Sequence, residues 1–146
     1  MFCNIIYDMV KRGKINSERL YEEPEDHELH TAKVLASFGH AVTFVAPSNI
    51  KGQHKADIVL DNDYSILWET KAPKGKGKNN MHNIFQEAKE QSKYLIIDLF
   101  RAKIPDIASI NKVMTEFRNY KSIRHVKIIT RSNSEKESEK IIDIIR

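Results

Sequence analysis

Asp57, Glu69 and Lys71 are the residues whose types and spacing could do chemistry together. They lie in KADIVLDNDYSILWETKAPKGKGK, residues 55–78, which reads as two short strands joined by a turn at Asp61-Asn62-Asp63-Tyr64. Side chains of a strand alternate between faces, so Ser65, Leu67, Glu69 and Lys71 share one face and Ile66, Trp68 and Thr70 the other. Glu69 and Lys71 are therefore neighbours. Running the strands symmetrically away from the turn brings Asp57 level with Trp68 or Glu69. Two carboxylates and an ammonium then converge. Such oxygens can hold Mg²⁺ or Mn²⁺, with Zn²⁺ as an alternative, and leave positions for water and a substrate phosphate. The ammonium would orient the attacking water or stabilise charge building on the phosphoryl oxygens.

The residues after Lys71 extend this reading. Lys74, Lys76 and Lys78 follow in a stretch broken by Pro73, Gly75 and Gly77. A basic loop of this kind can grip a phosphate backbone, each neutralised phosphate adding salt-sensitive affinity, although a solvated charged loop has the same composition. Trp68 points away from Glu69 and reads as core. In the helix expected over residues 79–93, Ile84, Phe85 and Ala88 form the buried face. Gln91 follows that face and, on the residue pattern alone, reads as an interior-edge amide with a local hydrogen bond.

The elements that must position these groups can be read from the remaining pattern. Pro24-Glu25-Asp26 starts a helix that runs to about Phe38 and stops at Gly39, with Leu29, Ala32, Leu35 and Ala36 as its apolar stripe. Glu28 borders that stripe. It is either an exposed boundary acid or a carboxylate aimed at the metal site. Residues 40–46 read as a strand ended by Pro47, and 48–55 as a loop. Residues 94–99 form an apolar run typical of a strand buried on both faces. A helix from Pro105 carries Ile107, Ile110, Val113 or Met114, and Phe117. Residues 126–130 read as a strand, and 134–146 as a closing helix with Ser134 as N-cap. Residues 1–23 read as a short helix followed by a turn at Gly13. The sum is an α/β fold whose mixed central sheet is flanked by helices.

Length and composition set outer limits. With 146 residues, 40% hydrophobic and 30% charged, the chain is long enough for one domain with a real core. No apolar run is long enough to span a bilayer, so no membrane partner is expected. Cys3 is the one cysteine, which excludes an internal disulfide or a Cys-rich zinc site, and it reads as an incidental thiol. A net charge of +4 suits a nucleic-acid partner without requiring one. His27 and His30 lack an identifiable third ligand and read as solvent-facing. Asp61-Asn62-Asp63 lacks the Gly and distal Glu of a calcium loop and reads as a turn. Asp98, at a strand end, reads as a cap.

Asp57 followed by Glu69-Thr70-Lys71 resembles the PD-(D/E)xK nuclease superfamily. The αβββαβ order over about residues 23–99 is similar to that superfamily's core, with Glu28 on the first helix, Asp57 on the second strand, and Glu69 and Lys71 on the third. Lys55-Ala56-Asp57-Ile58, Glu69-Thr70-Lys71, Asn79-Asn80, Asn83-Ile84, Ala88 and Gln91 narrow the likeness further. Over about residues 23–130 the chain resembles the C-terminal tRNA nuclease domains of contact-dependent growth inhibition toxins. That resemblance implies metal binding by Glu28, Asp57 and Glu69, phosphodiester hydrolysis assisted by Lys71 and supported by Gln91, and a tRNA target. It also implies an immunity protein as partner and action in a target cytoplasm after delivery. The chain starts at Met1 without a large delivery region, so both a cut-out domain and a free-standing protein are open. The same residues would serve a DNA endonuclease of repair, restriction or mobile-element type. A nucleic-acid-binding module without catalysis is the third reading.

Overall fold

A computed structural model describes residues 14–16, 24–45, 57–75, 80–131 and 139–146. The fold is α/β, and the expected αβββαβ order runs through its middle. The chain divides into two compact units, residues 1–68 and 69–146. Each unit is described by itself.

The first unit contains β1 (Lys14–Asn16), α1 (Asp26–Ser37), β2 (Ala41–Val45) and β3 (Asp57–Leu60), and ends on the first residue of β4 (Trp68–Lys71). Helix α1 starts from an extended Glu25, whose backbone N–H donates to Glu28 Oε1 at 2.9 Å in a capping box. It stops where Gly39 takes a φ of 94°. Gly39 N–H then reaches the Ala36 carbonyl at 2.9 Å and His40 N–H the Leu35 carbonyl at 3.2 Å, closing the last turn. Ala32, Leu35 and Ala36 are buried as the stripe predicts, Val34 joins them, and Leu29 is half-buried. Strand β2 pairs in parallel with β1 and antiparallel with β3, setting Val42 against Leu60 and Phe44 against Ile58. Ile58 in turn pairs with Trp68, the second of the two registers the turn allows.

The turn itself follows from Asx chemistry. Asp61 and Asn62 have φ of 54° and 60°, and Asp63 N–H donates to the Leu60 carbonyl at 3.0 Å. Aspartate and asparagine tolerate this left-handed backbone better than other non-glycine residues. Asp61 also ties the turn to β2, accepting from Ala41 N–H at 2.9 Å and lying 2.7 Å from His40 Nδ1. These acids hold a turn, as expected.

The second unit contains the rest of β4, α2 (Asn80–Ala88), β5 (Tyr94–Asp98), α3 (Asp106–Asn119), β6 (His125–Ile129) and β7 (Ile141–Ile145). Parallel β5 and β6 set Leu95 against Val126 and Ile97 against Ile128. Residues 95–99 are all fully buried, so the apolar run is indeed covered on both faces. Phe85, Val113, Phe117 and Ile123 complete this core, with Ile142 and Ile144 packed against it.

Three expectations are corrected. The closing helix is the strand β7, which pairs antiparallel with β6 through Ile128 to Ile142 and Val126 to Ile144. Its β-branched isoleucines suit a pleated surface, and β6 offers an edge that needs a partner. Helix α2 ends at Ala88, so Gln91 lies in the following turn. On α3 the buried line is Ser109, Val113 and Phe117, while Ile107 is 71% exposed. Residues 14–16, which follow the turn expected at Gly13, form β1. Cys3, Pro47, the 48–55 loop and the Ser134 N-cap lie outside the described residues.

One cross-strand group gives the second unit a pH dependence. Asp143 on β7 accepts from the buried Lys127 Nζ at 2.7 Å and lies 2.7 Å from His125 Nε2. Burial by itself raises the Asp143 carboxyl, but the hydrogen bonds and charges of Lys127 and His125 outweigh it and hold the group below its ordinary value. A carboxyl depressed by folding contributes stability above its unfolded pKa, and loses that contribution as pH falls through the folded value. The urea midpoint of the parent should therefore exceed that of Asp143→Asn at neutral pH. The gap should narrow below about pH 4, and a gap independent of pH would contradict this assignment.

Candidate functional site

Strand β4 carries the centre of the site. Glu69 is buried and Lys71 half-buried, and Lys71 Nζ lies 3.6 Å from Glu69 Oε1. The two side chains do share a face of the strand, as a period of two requires. The same ammonium donates to Glu87 Oε2 at 3.0 Å. Glu87 comes from the exposed side of α2, so Lys71 is held between a buried carboxylate and a surface one.

Sequence reasoning passed over Glu87. Sixteen residues separate it from Lys71, and no local spacing announces such a contact. Gln91, expected on that helix, lies instead in the turn after Ala88. Ser92 Oγ accepts from Tyr94 N–H at 3.0 Å, so this residue serves a turn instead of another helical one.

Trp68 is buried, consistent with a core role. Asp57, the first residue of β3, immediately precedes Ile58 in the Ile58 to Trp68 pair. Beyond Lys71, Lys74 is exposed and its carbonyl accepts from Asn80 Nδ2 at 3.0 Å. Lys76 and Lys78 lie outside the described residues.

Glu28 is not the exposed boundary acid that one expectation made it. It is 6% exposed, and one carboxylate oxygen caps α1. His27 pairs with Glu25 at 3.3 Å. Ligand-type atoms of Glu25, His27 and Glu28 lie within 4.8 Å of one another, but at a helix N-terminus the backbone dipole favours anions over cations. Asp98 is fully buried and accepts from Phe100 N–H at 3.2 Å, the capping role expected of it.

A second basic segment borders β4 within the same unit. Arg101 Nε donates to the Ala72 carbonyl at 2.9 Å, and Lys103 N–H to the Gly75 carbonyl at 3.0 Å.

With this arrangement in view, likeness to known proteins becomes informative. Residues 54–134 match the family described as "Contact-dependent growth inhibition CdiA C-terminal domain". The chain belongs to that family. The match spans β3, β4, α2, β5, α3 and β6, and so includes Asp57, Glu69, Lys71 and Glu87. CdiA C-terminal domains are the delivered toxin part of contact-dependent growth inhibition, so this is a toxin domain. A solved structure, the CdiA-CT/CdiI toxin and immunity complex from Burkholderia pseudomallei, is similar at 13% identity and a TM-score of 0.49, covering 89% of this chain and 98% of that one. No curated protein matches in sequence. Among the described residues of this CdiA C-terminal domain, no helix is long and apolar enough to cross a membrane.

Proposed function

We propose that this CdiA C-terminal domain is a metal-dependent endoribonuclease of PD-(D/E)xK type that cleaves tRNA. The observation that carries the reading is the Lys71 ammonium, 3.6 Å from the buried carboxylate of Glu69 on one face of β4. A buried carboxylate beside an ordered ammonium suits chemistry in which charge builds on phosphoryl oxygens. Asp57 and Glu69 would hold the cation, a hard-oxygen donor pair that fits Mg²⁺ or Mn²⁺ and admits Zn²⁺. When bound, the ion acts as a Lewis acid on the phosphate and makes its bound water more acidic.

The chain's own residues do the rest. Lys71 orients the attacking water and stabilises charge on the phosphoryl oxygens. Water adds to phosphorus and gives up a proton to solvent, one P–O bond of the phosphodiester breaks, and the leaving oxygen takes a proton from solvent. Lys74, with Lys76 and Lys78, grips the strand. The tRNA target and an immunity protein as partner rest on the likeness to growth-inhibition tRNA nucleases, with a target cytoplasm as the site of action. The test is incubation of the purified domain with total tRNA and, separately, with linear duplex DNA, in Mg²⁺, Mn²⁺, Zn²⁺ or EDTA. Metal-dependent tRNA fragments that vanish in EDTA and in Lys71→Ala are expected. Cutting of DNA alone would move the assignment to a DNA endonuclease, and binding without cleavage to a non-catalytic module.

Glu28 has a separable role in this scheme, orienting the water around the cation. Glu28→Gln keeps an oxygen for the Glu25 N–H and removes the charge. Thermal stability should stay within about 0.5 kcal/mol of the parent, since the cap survives. Cleavage should fall about tenfold or more, the usual effect of losing an outer-shell group. Unchanged cleavage in Glu28→Gln would make Glu28 a cap and nothing else.

A further inference from the structure

We infer that residues 100–105 form a second phosphate-binding segment beside residues 71–75, with Arg101 and Lys103 contacting the sugar-phosphate backbone of the bound nucleic acid. This inference rests on the nuclease reading and enlarges its substrate surface.

The two segments are far apart in sequence and adjacent in space. Gly75 and Ala102 form a parallel bridge, Lys103 N–H donates to the Gly75 carbonyl, and Arg101 Nε donates to the Ala72 carbonyl. Side by side they present Lys71, Lys74, Arg101 and Lys103, and neither segment contains an acid. The acids that flank the second segment are engaged elsewhere. Asp98 is fully buried and accepts from Phe100 N–H. Asp106 accepts from Arg131, from its backbone N–H at 3.0 Å and its Nε at 3.2 Å. Glu69 and Glu87 offset the charge of Lys71, so the strip's excess positive charge lies on Lys74, Arg101 and Lys103.

Its geometry suits a polyanion. Lys74 and Lys103 are exposed, and Arg101 is half-buried. The bond to Ala72 uses one of the five guanidinium N–H donors and fixes the group's position, so less freedom is lost when the others meet a phosphate. Gly75, at a φ of 74°, has open space where a side chain would begin, with no atom of the described residues within 4 Å. A strand can therefore approach the backbone there. Arg101 and Lys103 are two positions apart on the chain that continues from β5, and the strip begins at Lys71. A nucleic-acid strand whose scissile phosphate lies at Glu69 and Lys71 would continue onto it, which favours this occupant over an acidic protein.

The experiment is the salt dependence of tRNA binding in EDTA, read by fluorescence anisotropy, for the parent, Arg101→Ala, Lys103→Ala and Lys121→Ala. Each removed phosphate contact should lower the slope of log K against log salt by about 0.7–0.9. Arg101→Ala and Lys103→Ala should show that loss, and Lys121→Ala, on the exposed turn after α3, should not. Lys103→Ala keeps its backbone bond to Gly75, so its result stands even if Arg101→Ala disturbs the loop. Parental slopes in both Arg101→Ala and Lys103→Ala, with tRNA still bound, would overturn the inference and leave the nuclease reading intact. Failure of the parent to bind tRNA or duplex DNA would overturn both. Binding of polyglutamate that both substitutions weaken, with tRNA binding unaffected, would overturn it in favour of an acidic protein partner.

Discussion

Under the proposed nuclease function, Glu69→Gln should lower metal-dependent cleavage about 10³-fold, the range expected when one preorganised electrostatic group is removed from a transition state. The substitution keeps the shape of a buried side chain and removes its charge. Lys71 retains its 3.0 Å bond to Glu87, so the ammonium is not left without a partner. Glu69 is 7% exposed, so its lost contact with Lys71 exceeds the ~1 kcal/mol ceiling of an exposed pair, and the unfolding free energy should fall by about 1–3 kcal/mol. Binding of tRNA in EDTA should be unchanged or slightly tighter, because a negative charge has been removed from the phosphate path. Rates and melts measured on one preparation check this. A variant that cleaves within about threefold of the parent would contradict the role given to Glu69, since a group holding the metal is worth orders of magnitude more.

Phe85→Ala destabilises the second unit by about 3–5 kcal/mol, a large share of the roughly 5–15 kcal/mol that holds such a domain. Phe85 is fully buried, and its ring centroid lies 5.9 Å from that of Tyr120. Alanine would leave a cavity beneath α2, the helix that carries Glu87 to Lys71. Activity should therefore fall together with stability. Phe85→Leu, which keeps most of the volume, should lose less on both counts. Urea unfolding followed by circular dichroism measures the difference. A shift below about 1 kcal/mol would mean that the packing around Phe85 relaxes far more than a close-packed core allows.

What could be read from sequence follows the reach of local rules. The shared face of Glu69 and Lys71 comes from the pleat of one strand. The stop of α1 at Gly39 comes from a backbone that glycine adopts readily, and the turn at Asp61-Asn62 from Asx tolerance of the same region. Local rules could not decide β7. Ile141, Ile144 and Ile145 fit the i, i+3, i+4 spacing of a helix as well as they fit a strand, and the edge of β6 settled the matter. They also misjudged the end of α2, because Lys89, Glu90 and Gln91 are good helix formers with nothing apolar after Ala88 to pack. On α3, Ile107 seemed a core residue until packing chose the Ser109, Val113 and Phe117 line, with Ile110 packed beside it. Glu87, Arg101 and Lys103 were beyond reach for a different reason. Their value lies in contacts with residues 16 to 29 positions away, made only when the chain folds.

The proposed nuclease function requires Asp57 and Glu69 each to be a ligand of a divalent cation. Titration of the purified domain with Mn²⁺, followed by electron paramagnetic resonance of the free ion, tests it without any substrate. The account predicts saturable binding in the parent, lost in Asp57→Asn and in Glu69→Gln and kept in Lys103→Ala. Equal Mn²⁺ affinity in the parent, Asp57→Asn and Glu69→Gln, or no binding in the parent, would contradict it.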